Sequence, residues 1–360
     1  PLQEGMLYHT IRNPDSGVYR GQCTTTLLGR LDDGLFLEAW DRLSQRHQAF
    51  RTFFAWEGRD RPLQVVREQV ELNWRVLDWS SDSEDEQNAK WEALLEEDRD
   101  TPFDLLAAPL MRFTLVHLAE GRHKLLWSVH HALADGWSGL LVMKEALEEY
   151  EALKAGAPLV RDVPPSFAKF VTWLGSRDAA AAETYWREEL TGLRETTPPP
   201  GARPGRPGTT RSTVELTLEV DVLARLRQAA ADMRVTPNTI AVGAWALVLA
   251  RHAPDAEEVT FGVTISERPP EIPGVEQSVG LYLNTIPVRV PIPGGASIGQ
   301  WLVDLQSKLS DGREHSAGGL AEIRRWSELQ PGRPLVQSLV VYESFPPEVG
   351  SSARNVGLTM

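Results

Sequence analysis

The chain is 360 residues long, 42% hydrophobic and 24% charged, with a formal net charge of -13 at pH 7. That is more chain than one core comfortably holds, so two domains are expected. The acidic balance, with an isoelectric point near 5.2, argues against nucleic acid or an anionic membrane as partner, and no apolar run is long enough to span a bilayer.

In chain order, Gln3 to Thr10 reads as the start of a short helix and Thr24 to Gly29 as a strand. Asp32 to His47 has helical periodicity, with Leu35, Leu37, Ala39, Trp40 and Leu43 as its apolar positions. Phe50 to Trp56 and Leu63 to Val66 read as strands around Glu57-Gly58. The acidic stretch from Ser80 to Asp100 is helical, with a solvated face rather than a binding site. Phe113 to His117 and Lys124 to Val129 form a strand pair around Glu120-Gly121, and helices follow at Leu140 to Lys154, Phe167 to Gly175 and Ala179 to Leu190. Pro198 to Gly208 is a proline/glycine stretch unable to build helix or central sheet. The domain division is therefore 1–195, a linker over 196–212, and 213–360. Beyond the linker, Thr213 to Leu218 is a strand, Asp221 to Met233 a helix, and Pro237 to Ala253 a buried helix capped by Thr236. Val259 to Ile265 and Val288 to Val290 are strands, Ser297 to Arg313 a helix, and Leu335 to Glu343 a buried strand. Each half mixes helix with strand, which implies two α/β (α+β) halves meeting at a cleft.

The only cysteine, Cys23, excludes an internal disulfide and fits a reducing cytoplasm. It lies in an alternating run and is expected to be packed rather than reactive. No Cys/His cluster has zinc spacing, so no metal is expected. No GxGxxG or Walker-type loop supports a nucleotide cofactor, and no GxSxG elbow offers a serine nucleophile. The chain opens at Pro1 without a basic-then-apolar leader and reads as a segment trimmed from a longer one.

The stretch richest in chemistry is His130-His131-Ala132-Leu133-Ala134-Asp135-Gly136, between the strand ending at Val129 and the helix beginning near Leu140. Successive strand residues face opposite ways, so the two histidines are poor candidates for chelating one metal. One ring packs into the fold while the other faces a cleft. A single imidazole at a strand end suits acid/base work near neutral pH.

This pattern, followed by Trp137-Ser138, resembles the HHxxxDG signature of the condensation domains of nonribosomal peptide synthetases, members of the chloramphenicol-acetyltransferase-like superfamily. The likeness runs through essentially the whole chain, in order. Pro1 to His9 resembles the family's opening segment, Arg46-His47 through Phe54 its RHxxLRTxF element, and Ser166 to Trp173 a weak aromatic helix motif. Val279 to Arg289 resembles VGxFxNTxxxR, and Ser338 to Glu343 a late strand. The resemblance implies two acyltransferase-like subdomains in a V shape around a central tunnel. There are departures. Ser266-Glu267-Arg268 stands where the family often has Ser-Gly-Arg, in a loop expected to bridge the halves. Ser316 to Gly319 is looser than usual, and the chain stops at Met360, before elements the family normally carries. The opening Leu2 to Leu7, the run Asp60 to Val66, and Val341-Tyr342-Glu343-Ser344-Phe345-Pro346 resemble the subclass joining a D-configured donor to an L-configured acceptor.

The reaction implied is aminolysis of a thioester, making a peptide bond in secondary-metabolite synthesis. A peptidyl group on the phosphopantetheine of an upstream carrier protein meets an aminoacyl group on a downstream one near His131. The resemblance implies that the domain itself holds no cofactor, and a monomeric segment of a cytoplasmic megasynthetase is expected. The resemblance implies His131 as the catalytic residue, either as general base, a role worth about 10²–10⁴-fold, or by holding the amine in place. Gly136 and Trp137 amides at a helix start are candidate oxyanion donors. Glycine also permits close backbone approach, although Gly136 could equally be a turn glycine. His130 is a packing residue. Asp135 is structural and, being buried, needs a partner; Arg51 and Arg289 are the candidates. Trp137, Ser138, Asn284 and Ser266 are expected along the tunnel. Two further readings stay open: a stand-alone acyltransferase using an alcohol or coenzyme A thioester, and a non-catalytic recruitment module. An epimerisation domain fits less well, since that group usually has Val-Ser-Trp after the glycine where this chain has Trp-Ser.

Overall fold

The computed structural model describes residues 2–157, 159–202, 213–253, 255–292 and 294–343. Pro1, residues 203–208 of the proline/glycine stretch and the Ser344 to Pro346 end of the subclass motif lie outside them. The described residues mix helix and sheet and fall into two compact units. One comprises 2–173 with 267–282, the other 174–266 with 283–342.

In the first unit, α1 (Leu2–Arg12) precedes β1 (Arg20–Leu28) and α2 (Asp33–Arg46). Asp32 starts α2 by accepting the Leu35 amide, one of the donors that a helix start leaves unpaired. A small hairpin of β2 (Thr52–Ala55) and β3 (Leu63–Val66) follows. Then come β4 (Trp74–Asp78), α3 (Glu84–Asp100), β5 (Met111–His117), β6 (Arg122–His130), α4 (Gly136–Lys154) and α5 (Phe167–Gly175). The sheet order is β1-β6-β5-β4, antiparallel except for the parallel β4/β5 pair. The strand β4 is an addition to the elements expected from sequence. The acidic α3 turns charge outward but buries Trp91 and Leu94 against Val116, Leu118 and Leu126. Its Asp98 accepts hydrogen bonds from Gln22, Arg112 and Ser128, which ties the helix to the sheet.

The core centres on Trp40, whose ring meets Phe36, Phe50, Trp74, Phe113 and Trp127. The Arg46-His47 pair at the end of α2 reaches α4: Arg46 Nε and His47 Nε2 lie 3.0 and 2.7 Å from Glu145 Oε2. Thus α2 and the sheet together fix α4, whose first turn abuts the histidines.

The second unit holds α6 (Ala179–Glu189), α7 (Val220–Met233), α8 (Pro237–His252), β7 (Glu258–Ser266), β8 (Leu283–Pro291), α9 (Ile298–Glu314), α10 (Leu320–Trp326) and β9 (Leu339–Val340). Thr236 caps α8 as expected, accepting the Thr239 amide. The sheet order is β8-β7-β9, and Trp186, Phe261, Ile286, Trp301 and Leu305 fill its core.

Three expectations are corrected. Thr213 to Leu218 is not a strand: no neighbouring strand among the described residues supplies a ladder, and Val214 and Leu216 stand 93% and 85% exposed. The expected buried strand at 335–343 shrinks to the two residues of β9, at the sheet edge, with Leu339 exposed. Cys23 is exposed on β1 rather than packed, although its surroundings still desolvate the thiol enough to raise its pKa. Among the described residues no helix is long and apolar enough to cross a membrane.

Trp40 is fully buried among five aromatic rings, so Trp40→Ala is expected to cost about 3–5 kcal/mol of unfolding free energy. Urea denaturation followed by circular dichroism measures it.

Candidate active site

The strand β6 ends at His130, whose amide donates to Leu110 O at 3.0 Å. A turn follows, closed by Leu133 N–H to His130 O at 2.9 Å, and Ala132, Leu133 and Ala134 are buried in it. The His131 amide donates to Tyr19 O at 2.8 Å. Tyr19 sits just before β1 with φ +64°, a left-handed conformation rare for an aromatic residue. The chain then enters α4 with Asp135 as its cap.

The two rings divide, His130 packed and His131, in the turn beyond the strand, half-exposed. The His130 ring is buried, and burial, aided by the charges of His131 and Arg20, pushes its pKa down from 6.5 to about 4. Its Nδ1 accepts the Ala132 amide at 3.2 Å. Its Nε2 lies 3.1 Å from Thr10 Oγ1, and the Thr10 hydroxyl itself donates to Met6 O. Both contacts require the neutral tautomer with the proton on Nε2. His131 is half-buried and has the opposite arrangement. Its Nδ1 lies 2.9 Å from Ala134 O, and a carbonyl only accepts, so Nδ1 carries a proton. In the neutral ring that leaves the Nε2 lone pair as the acceptor, the form a general base needs.

Asp135 is 5% exposed and fully engaged. Its Oδ1 accepts the Ser138 amide at 2.8 Å and the Ser138 hydroxyl at 2.6 Å. Its Oδ2 accepts the Tyr282 amide at 3.1 Å. The counter-ion is Arg268, whose Nη2 lies 3.1 and 3.2 Å from the two carboxylate oxygens. The expected carboxylate–guanidinium pair therefore exists, but neither Arg51 nor Arg289 supplies it. Arg51 spends its donors on the carbonyls of Ser44, Gln45, Arg67 and Glu68, holding the end of α2 to the end of β3. Arg289 belongs to the second unit, where it pairs with Glu258 at 2.7 Å. Only Arg268 stands in the returning segment 267–282 that packs on this unit.

That segment is fastened at several points. Arg268 Nη1 donates to Val275 O and Ser278 O, and its guanidinium lies 4.2 Å from the Tyr282 ring centre. Asp135 N–H donates to Gly280 O, and Gly280 N–H to Ser138 Oγ. A Cβ on Gly280 would lie 2.5 Å from Phe167 and 2.8 Å from Tyr282, so only glycine lets the segment seat. Glu267, in place of the family's usual glycine, is buried, and its amide donates to Tyr282 O at 2.7 Å.

The remaining predicted residues separate. Ser138 is fully buried in the Asp135 network, so it lines no passage. Trp137 is half-buried, with Nε1 donating to Glu276 O and Arg268 over its ring. Asn284, in the second unit, is 3% exposed and spends its amide on Ser316 O and the Thr285 amide, so it too is a packing residue. Ser266 ends β7 in that unit, and its carbonyl accepts from Arg313. Gly136 has no positive φ, so its backbone conformation does not demand glycine. Its amide and that of Trp137 occupy the first turn of α4, where a helix leaves donors free. Sequence reasoning missed Arg268, Gly280, Tyr282 and Thr10. The first three lie within elements already singled out, but their partners are more than a hundred residues away. Among the described residues no His/Cys/Asp/Glu group could hold a metal ion.

Arg268→Ala leaves the Asp135 carboxylate buried without a cation, so a loss of about 3–5 kcal/mol in urea denaturation is expected. The His130 ring titrates at 6.5 when unfolded and at about 4 when folded. The folded state thus binds fewer protons in that window, and the ring's contribution is complete above pH 6.5 and lost as pH falls toward 4. Denaturation midpoints at pH 7 and 4.5 should fall further for the wild type than for His130→Gln.

Residues 1–355 match the condensation-domain family. A linear gramicidin synthase polypeptide of Brevibacillus parabrevis is 40% identical over 353 residues, which is 96% of this chain and only 4% of that protein. A plipastatin synthase polypeptide of Bacillus subtilis is 31% identical over 349 residues, 96% of this chain and 14% of its own length. Among solved structures, the first condensation domain of the calcium-dependent antibiotic synthetase superposes with a TM-score of 0.79 at 21% identity, over 96% of this chain and 80% of that one. The chain belongs to the condensation-domain family, the amide-forming acyltransferases of nonribosomal peptide synthetases.

Proposed function

We propose that this chain joins a peptidyl thioester on an upstream carrier protein to an aminoacyl group on a downstream one, with His131 as catalytic residue. The observation that carries this reading is the His131 ring: half-buried, with Nδ1–H held by Ala134 O and Nε2 left as the acceptor. The acceptor amine attacks the donor thioester carbonyl and forms the C–N bond. His131 Nε2 takes the amine proton or holds the amine by a hydrogen bond. The tetrahedral oxyanion meets the amides of Gly136 and Trp137, where the helix start favours negative charge. Collapse breaks the C–S bond, and the carrier thiol leaves with a proton. His130, Asp135 and Arg268 touch none of the reacting atoms in this scheme and hold the turn in place.

The synthetase polypeptides that this chain matches are far longer than it is, which supports carrier partners within a larger assembly; the single cysteine fits a reducing cytoplasm for it. The phosphopantetheine belongs to those carriers, and the chain brings no cofactor of its own. A D-configured donor terminus and an L-configured acceptor are the proposed substrates, on the motif likeness alone. The domain division proposed is two acyltransferase-like halves joined through 196–212.

The test is a single-turnover assay with a peptidyl donor carrier and an aminoacyl acceptor carrier, followed by intact-protein mass spectrometry. Extended peptide should appear on the acceptor, faster from the D-terminal donor, and fall at least about 10²-fold in His131→Ala. Unchanged transfer in that variant would overturn the role of His131 and favour a recruitment module. Efficient turnover of free coenzyme A esters would favour a stand-alone acyltransferase.

A further inference from the structure

The His131 turn is held by more than its own strand. Gln3 and Thr10 stand seven residues apart on α1, two turns along one helical face. Gln3 Nε2 donates to Ala132 O at 2.7 Å, and its amide also reaches Gln64 Oε1 of β3 at 3.3 Å. Thr10 Oγ1 accepts from His130 Nε2–H while its own proton goes to Met6 O. Between these grips, the Ala132 amide donates to His130 Nδ1. The polar groups thus form a closed circuit: Met6 O, Thr10, the His130 ring, Ala132, and back to α1 through Gln3. His131 is the residue between the two that α1 grips.

We infer that α1 is a positioning element for the reaction, with Gln3 and Thr10 as positioning residues that hold His131 in register and in its Nδ1–H tautomer. The inference rests on the assignment of His131 as the reacting imidazole. The physical case is the direction of each bond. His130 is buried and neutral, so its Nε2–H needs an acceptor, and Thr10 is the one it has. Without that acceptor the ring must turn, and its Nδ1 then releases the Ala132 amide. The adjoining His131–Ala134 contact closes over the same residues and loosens with it. Losing Gln3 frees the Ala132 carbonyl at the other side of the turn. A displacement of about 1 Å at a reacting group can cost about 10²-fold in rate, whereas both side chains are half-buried and contribute little to the core.

Thr10→Val keeps the shape and removes the acceptor. Thr10→Ser keeps the acceptor. Gln3→Met keeps the length and removes the donors. Each is compared with wild type by single turnover on loaded carriers, by carrier affinity, by melting temperature, and by ¹⁵N resonances of the histidine rings. Thr10→Val and Gln3→Met should slow transfer about tenfold or more, with carrier affinity near wild type and a melting temperature lowered by only a few degrees. The His131 ring nitrogens should move from a pure Nδ1–H pattern to an averaged one. Thr10→Ser should keep most of the rate and the wild-type pattern. Unchanged rate and ring resonances in both Thr10→Val and Gln3→Met would overturn the inference. So would a loss that Thr10→Ser shares in full and that tracks the melting temperature. If the wild type makes no peptide bond, the functional reading fails separately. The ring resonances then decide alone: an averaged His131 supports the grip by α1, and an unaltered one overturns it.

Discussion

The pairing of Asp135 with Arg268 is the constraint on which the site depends. A carboxylate this deeply buried is costly unless its charge is met and its lone pairs are filled. Here Arg268 supplies the charge, while Ser138 and the Tyr282 amide fill the remaining positions. The same carboxylate caps α4, so one side chain sets the helix start, the end of the histidine turn and the place of the returning segment. That triple duty explains several otherwise separate features: a glycine at 280 with no room for a Cβ, a serine at 138 with no access to solvent, and an arginine laid over the Tyr282 ring.

The paired histidines are chemically unequal because their surroundings are. His130 is enclosed, and desolvation makes its charged form unfavourable, so it serves as a neutral donor and acceptor in a chain of fixed polarity. His131 lies in the turn, partly open, with one nitrogen committed to a carbonyl and the other uncommitted in the neutral ring. Two adjacent residues of one type thus take two roles, and hydrogen-bond direction rather than residue identity separates them. The aromatic core around Trp40 and the ties from Arg46 and His47 to Glu145 supply the rigidity that keeps this turn in one place.

Much of this was legible in the sequence. Apolar periodicity places α2, and α4, α8 and α9 are likewise legible to within a few residues, each with its own cap. The turn at Glu120-Gly121 between two apolar runs places β5 and β6, and the HHxxxDG pattern marks the turn together with the need of Asp135 for a partner. Thr213 to Leu218 shows the limit: its apolar alternation is that of a strand, but a strand exists only where a neighbour accepts its hydrogen bonds, and none does among the described residues. The two-residue β9 carries the same lesson.

What the sequence determined by itself was local: periodicity, caps, the punctuation of turns, and the list of groups able to move a proton. What only the tertiary structure decided was which distant groups meet. Arg51, Arg268 and Arg289 are equal as cations on paper, yet the chain brings only Arg268 to Asp135, along the segment that returns to the first unit. Likewise, nothing in Gln3 or Thr10 announces a contact with a turn more than a hundred residues later. The physical reason is that pairing energies act through space over a few ångströms, while sequence spacing constrains neighbours only within an element. Partner choice is therefore a property of the packed fold.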